Sequence, residues 1–556
     1  MPQFSASHPL LSKSVKPLCF AALAILATVS PALAENFGEA LVSAYQNSPR
    51  LMAERARVRE VDENYVQAQA AGRLALNADA SVARNVTKNQ TSFSLGPLPP
   101  TTVNSTDWLT PHVGQLSIVQ PLYQGGRING LKAQARAGIL AARQNLRGAE
   151  QNLLLAAATA YSDVLRDEEI AKIRRNNVRV LTQQKFAAKT RFDVGEGTRT
   201  DIAQAEARLA AAEMGLANAD ASLAISRAAY MRYIGHTPAN LSAPPQFVLP
   251  PSLEKALQLG RANHPQLIAA RYNENAAQSA IHVARAAGRP ILSLNATLQS
   301  ARENSANFPL SESISIGAQL RIPIYQGGMN HSRVRAAKHL KTRSKFETRE
   351  TELAIDQAVA NLWAQVIAAD QSLKASKKQV AAANIAFEGV QLEQQVGIRD
   401  TLDVLNAEQE VLDARLSVVQ AMRNLNVATY QLLVNIGGFD ATALQLPVEH
   451  YDPSRNFKSV TSNPLADYLP EPIGRIVSPI PDLAKNIIGL IEPPLDKVEQ
   501  DSPDLRHSAF PATGDVTSAE DQNNNAPVNS GTALTDPDDI NPKPILIITK
   551  TRSETD

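Results

Sequence analysis

Arg399, Asp403 and Asn406 lie close together just after a glycine, Gly397. Asp403 and Asn406 are three apart and so share one helix face. A carboxylate with an amide and a guanidinium nearby can attract or hold cations, but it assembles neither nucleophile nor general base. A second reading stays open, in which Asp403 is a helix N-terminal charge that complements the dipole. A similar segment, Val194-Gly195-Glu196-Gly197-Thr198, occurs earlier. Gly195, Gly197 and Gly397 permit tight chain reversals. Gly195-x-Gly197 lacks a third glycine and follows no strand, so it is not read as a nucleotide loop. The sequence holds no HExxH, GxxxxGK or GxSxG motif, and its nine histidines are scattered. No catalytic residue, metal site or cofactor is expected.

Long helices must carry these turns. No proline falls between Pro121 and Pro238 or between Pro323 and Pro447, and both windows are rich in Ala, Gln, Arg and Leu. A string of compact enzyme domains does not fit that pattern. The net charge of +1 gives no electrostatic reason to expect nucleic acid. Lys13 and Lys16, the apolar run Leu18 to Val29 and Ala32-Leu33-Ala34 read as a signal peptide over residues 1–34. Cys19, the only cysteine, would leave with it, so an exported chain without disulfides is expected.

An internal repeat organises the chain. Gln120-Pro121-Leu122-Tyr123-Gln124-Gly125-Gly126 returns as Ile322-Pro323-Ile324-Tyr325-Gln326-Gly327-Gly328, 202 residues later. Asn47-Ser48-Pro49 returns as Asn263-His264-Pro265 at an offset of 216. The first copy therefore carries about 14 extra residues, placed most simply in the loop around Gly96 to Thr102. The copies are assigned to residues 35–235 and 252–446, with a linker at 236–251. Residues 447–556 hold 15 of the 34 prolines and read as a largely disordered tail, with Ile487-Ile488 as one docking segment.

Each copy runs helix, two strands, a helix of 67 residues and a returning helix. The helices are expected at Arg50 to Arg73, Arg127 to Asp193 and Thr198 to Ile234, then at Met329 to Gln395 and Asp400 to Ile436. A 67-residue helix reaches about 100 Å. A first strand is expected from Leu74 to Val86. In the second copy Leu292, Leu294, Ala296 and Leu298 alternate with Ser293, Asn295 and Thr297, the period-two signal of a strand with one apolar and one polar face. Four such strands cannot close alone, and open edges cannot face lipid. Either they form a soluble sheet packed on helices, or several copies pool strands into one barrel. Two copies would give eight strands and three would give twelve.

The chain resembles the TolC family of Gram-negative outer-membrane efflux proteins over nearly all of residues 35–446. The resemblance rests on Pro121-Leu122-Tyr123-Gln124-Gly125-Gly126-Arg127, on Arg191 to Asp201, and on their second-copy counterparts. Val396-Gly397-Ile398-Arg399 with Leu402-Asp403-Val404-Leu405 carries it most specifically. The fold class it implies is mainly α with membrane β-strands: a homotrimer with a twelve-stranded barrel in outer-membrane lipid, continued by an α-helical barrel across the periplasm. The implied function is a passive exit duct for efflux, type I secretion or both. The implied partners are a periplasmic adaptor and an inner-membrane efflux or ABC transporter. A periplasmic adaptor or an exported structural coiled-coil protein is the alternative.

The resemblance also implies site residues. Val194, Gly195, Gly197 and Thr198, with Val396, Gly397 and Ile398, are the expected adaptor-docking tips. Arg399, Asp403 and Asn406 are the expected gate, with three Asp403 carboxylates forming one ring and Arg399 tying neighbouring chains. The family's gate has a second Asp and a Tyr, at positions held here by Asn406 and Gln394, so weaker cation block is expected. Asn77, Asp79, Ser293, Asn295 and Gln319 are expected to line the barrel lumen, and Trp108 to mark an interface.

Overall fold

The computed structural model describes residues 35–462 apart from Leu95, Leu98, Ala306 and Asn307. The expected signal peptide and the tail beyond Ser462, including Ile487-Ile488, lie outside the described residues. The first copy comprises α1 (Phe37–Asn47), α2 (Pro49–Ala70), β1 (Ala75–Val82), β2 (Asn85–Phe93), β3 (Thr101–Leu109), β4 (His112–Gln124), α3 (Arg127–Asp193) and α4 (Arg199–Ile234). The second comprises α5 (Leu253–Asn263), α6 (Pro265–Ala286), β5 (Ile291–Ser305), β6 (Phe308–Arg321), α7 (Met329–Gln395) and α8 (Thr401–Asn435).

Local chemistry sets the helix boundaries. Asn36 and Glu39 form a capping box on α1, and Ser48 caps α2 with Pro49 in its first turn. α1 and α5, which the sequence reading did not separate, are the short helices that precede the two Pro-started ones. α3 and α7 are each 67 residues long. Gly126 and Gly328 open them in the left-handed conformation, with φ of 82° and 79°. α3 packs along α4 and α6, and α7 along α8 and α6.

The strands depart from expectation in the first copy. The strand expected from Leu74 to Val86 is two strands, because pairing breaks at Ala83-Arg84 opposite Thr110-Pro111. Pro111 has no amide hydrogen to donate to a ladder. The extra residues, expected in a loop, are instead mostly paired backbone: β2 and β3 extend the hairpin, closing at Phe93 opposite Thr101. The main sheet has the order β1-β4-β5-β6, all antiparallel, so β1 and β6 are its edges.

The core lies where the two copies meet. Phe37, Tyr161, Tyr230, Tyr430 and Phe439 are buried and in ring contact, with Phe247 of the linker beside them. The Tyr161 hydroxyl donates to the Ser242 carbonyl at 2.7 Å and also lies 3.0 Å from that of Glu35. The Glu35 carboxylate accepts from Tyr230 and lies 2.8 Å from His236 Nε2. The tail assigned from residue 447 begins with ordered structure: α9 (Ser454–Ser462) packs on α2, with Phe457 edge-on to Tyr65 and Asn456 bonded to buried Asp62. Its polar composition hid a helix held by two such contacts.

Candidate functional site

The two helical tips share one backbone design. α3 ends with Gly195 at φ 83°, its amide donating to Phe192 while the Glu196 amide donates to Arg191. α7 ends with Gly397 at φ 79°, its amide donating to Gln394 while the Ile398 amide donates to Glu393. Both are Schellman caps, which need a left-handed residue where only glycine avoids a Cβ penalty. Gly197 acts differently: it is not left-handed, and a Cβ there would meet the Phe192 amide nitrogen at 3.1 Å. The next helix starts at once. Thr198 caps α4 in a box with Asp201, and Asp400 caps α8 by accepting from the Asp403 amide at 2.9 Å.

These turns leave apolar side chains uncovered. Val194, Val396 and Ile398 are 67%, 71% and 73% exposed. Valine and isoleucine at these solvent-facing turns add little to the chain's own core.

Above the α7–α8 turn, the polar residues are engaged within the chain. Arg399 pairs with Glu393 at 2.9 Å and with Asp403 at 3.6 Å. Glu393 first, then Asp403, hold the guanidinium above its ordinary value. The link expected between neighbouring chains thus has an intrachain counterpart. Asp403 stands in the first turn of α8, where its charge complements the helix dipole. Gln394 lies 3.4 Å from the Thr401 hydroxyl. Asn406 accepts from Arg208 on α4 at 2.9 Å, a contact between the two hairpins that the sequence reading missed. Just beside it, Leu405 is buried with Leu181 and Ala212, so the hairpins are joined at this level.

The sheet register sorts side chains cleanly, because paired residues share a face. Leu76, Ile118, Ala296 and Ile316 form one row, and Ala78, Leu116, Leu298 and Ile314 the next. On the opposite face Asn77 aligns with Ser117, Thr297 and Ser315, and Asp79 with Gln115, Gln299 and Ser313. Ser293 pairs with Gln319, and Asn295 sits between Val119 and Gly317. The five residues expected in the lumen therefore share the polar face. The apolar rows lie open, Ile314 and Ile316 both at 75% exposure. Trp108 is exposed on β3, beneath the Arg84 guanidinium at 5.3 Å.

Among the described residues no helix is long and apolar enough to cross a membrane, and no cluster of His, Cys, Asp or Glu could hold a metal ion.

A family model described as outer membrane efflux protein matches residues 40–236 and 256–438. Outer membrane efflux protein BepC of Brucella suis biovar 1 is 34% identical over 454 residues, covering 81% of this chain and 96% of that protein. Outer membrane protein TolC of Vibrio cholerae is 24% identical over 425 residues, covering 74% and 93%. The solved Campylobacter jejuni CmeC outer membrane channel superposes with a TM-score of 0.62 at 15% identity, over 76% of this chain and 89% of that one. At that identity the superposition speaks to fold alone.

Proposed function

The chain belongs to the outer membrane efflux protein family, and on that premise we propose that three copies close into a passive exit duct through the outer membrane and periplasm. Family membership sets aside the adaptor and structural coiled-coil alternatives. The observation that carries the assembly is a four-stranded sheet with an open apolar face and two unpaired edges, rooted on helices about 100 Å long. Lipid covers the apolar face, and neighbouring copies pair β6 with β1 until no edge remains. Three copies give twelve strands.

The internal repeat supports head-to-tail closure. At the end of β4, Gly125 is covered by the C-terminal end of α6 and the turn after it, where an added Cβ would lie 2.8 Å from the Ala286 carbonyl oxygen and 2.6 Å from the Arg289 Cβ. At the matching end of β6, Gly327 has open space, and Ile324 and Tyr325 are 93% and 85% exposed. The second copy thus lacks the helix that covers the first. α2, the repeat counterpart of α6, supplies it from the next chain.

In this reading Val194, Gly195, Gly197, Thr198, Val396, Gly397 and Ile398 dock a periplasmic adaptor. Gln394, Arg399, Asp403 and Asn406 form the constriction, and Asn77, Asp79, Ser293, Asn295 and Gln319 face the lumen. Partners open the duct and supply the energy, as an inner-membrane efflux or ABC transporter would. Native mass spectrometry of protein released from outer membranes by detergent tests the assembly. A trimer is expected, and a salt-extractable monomer would overturn it.

A further inference from the structure

A cleft of about 630 Å³ opens between α3, α7 and α8, at the seam of the two hairpins. Its floor is aliphatic, with Ile173 and Val180 from α3, Val380 from α7, and buried Val411 and Leu412 from α8. Arg423 bonds Asp163 at 2.7 Å and fixes the antiparallel stagger of α8 on α3. That stagger puts Glu408 beside Val180 at one end of the cleft. Arg415, level with Lys172, lies two turns away, about 10 Å along the axis, and Lys377 lines the cleft beyond it.

The two ends differ in chemistry. Glu408 Oε2 is buried without a hydrogen-bond partner, and burial pushes this carboxyl up to about 7. At the other end Lys172 pairs with Glu169 at 3.4 Å, while Arg415 donates to the neutral amide of Asn384 at 3.2 Å. The charged groups facing the cleft are thus Glu169 and Lys172 on α3, Lys377 on α7, and Glu408 and Arg415 on α8. Cations outnumber anions among them.

The repeat shows that hairpin packing does not demand this arrangement. In the first copy Glu206, the counterpart of Glu408, pairs with Lys185 at 3.1 Å. The position matching Lys185 is Phe387, so the second copy keeps the acid and lacks its base. The positions matching Ile173 and Val180 are Ala375 and Ala382. Val380 and Val411 keep aliphatic counterparts in Val178 and Leu209, but the α3 walls Ile173 and Val180 and the unpartnered acid occur together only at this seam of the two.

We propose that the cleft binds an elongated amphiphilic anion, with its acid at Lys377 and Arg415, its apolar body on the aliphatic floor, and a far hydroxyl bonded to Glu408. A hydroxyl donates to a carboxylate and accepts from a carboxylic acid, so it suits Glu408 in either state. A wholly apolar molecule would leave the buried acid unsatisfied. A cation would face Lys172, Lys377 and Arg415. An occupant wedged here spreads α3 from α8 just above the level where Arg208 and Asn406 join the hairpins, and so acts on the constriction.

The cleft lies within one chain, so its test does not depend on the trimer. Full-length protein in detergent is titrated with ω-hydroxydecanoate and with decanoate, and bound copies are counted by native mass spectrometry. One hydroxylated acid per chain is expected in preference to decanoate, with K377A/R415A weakening it about tenfold. Across about one pH unit either side of the Glu408 value, binding is expected to weaken several-fold as pH rises, because the ligand must then desolvate a carboxylate. E408Q removes that dependence, and E408L removes the preference for the hydroxyl. Equal uptake of both acids, or a double variant that binds unchanged, would overturn the site.

Discussion

Arg147 on α3 reaches Asp440, beyond α8, with Nε 2.8 Å from the carboxylate. The same guanidinium donates to the carbonyls of Gly437 at 3.0 Å and Asn263 at 3.3 Å. One side chain therefore ties the first copy to two turns of the second. Both partners are largely buried, so R147A strands a carboxylate. A loss of about 3–5 kcal/mol is expected, read as an earlier thermal transition of the detergent-solubilised protein.

Glu150, one turn along, is pushed up to about 7, first by burial and then by Asp440, against an amide bond from Ala441. Its folded value exceeds the unfolded one of 4.5. Its contribution is thus fully present below pH 4.5 and is lost as pH rises through 7, at most about 3 kcal/mol. E150Q keeps the acceptor and removes the titration. Melting temperatures of E150Q and native protein should converge at low pH and separate toward neutrality, with E150Q the more stable.

Gly195 and Gly397 combine left-handed backbone with open surroundings. G195L or G397L should cost about 1–2 kcal/mol locally while trimers persist on native gels. Export assays should fall together with adaptor crosslinking. Normal adaptor crosslinking in both variants would remove the docking role.

Asp403 carries the constriction's proposed carboxylate ring. D403A should lower divalent-cation block in planar-bilayer conductance, whereas N406D adds a second ring and raises it. In N406D the contact from Arg208 becomes charged, so the two hairpins should also be harder to part at this level. Unchanged conductance and block in D403A would leave Asp403 as a helix-dipole charge alone.

Repeat offsets convert the Ile118–Ala296 pair into Leu320 opposite Ala80 of the next copy. Cysteines at Ala80 and Leu320 should therefore join chains under a short thiol crosslinker, giving ladders up to a trimer on denaturing gels. Cysteines at Ala80 and Ile322, on the same face and one pair out of register, should crosslink less.

Much of this was legible because it is local. Gly126 and Val194 bound a proline-free stretch, and α3 runs from Arg127 to Asp193 as the pattern indicated. Alternation in β5 and β6 likewise predicted the shared faces. The break at Ala83-Arg84 was not legible, since its cause, Pro111, lies on the opposite strand. At the tips the glycines were visible as glycines. Arg208 on Asn406 was not, because no spacing rule links residues 198 apart. Glu408 was readable only by comparing Lys185 with Phe387 across the repeat.

The aromatic cluster between the copies has a consequence in time. Phe37 meets Tyr430 at 5.6 Å between ring centres, and Tyr430 stacks on Phe439. The first helix and the last long one thus close the same core, so its formation waits on almost the whole described chain. Contacts of such sequence separation form slowly. The early helices must persist outside the cell's interior with Phe37 and Tyr161 unpacked until residue 439 arrives. A chain stopped short of that point would carry both hairpins' worth of tips and strands, yet have no finished centre to hold them in register.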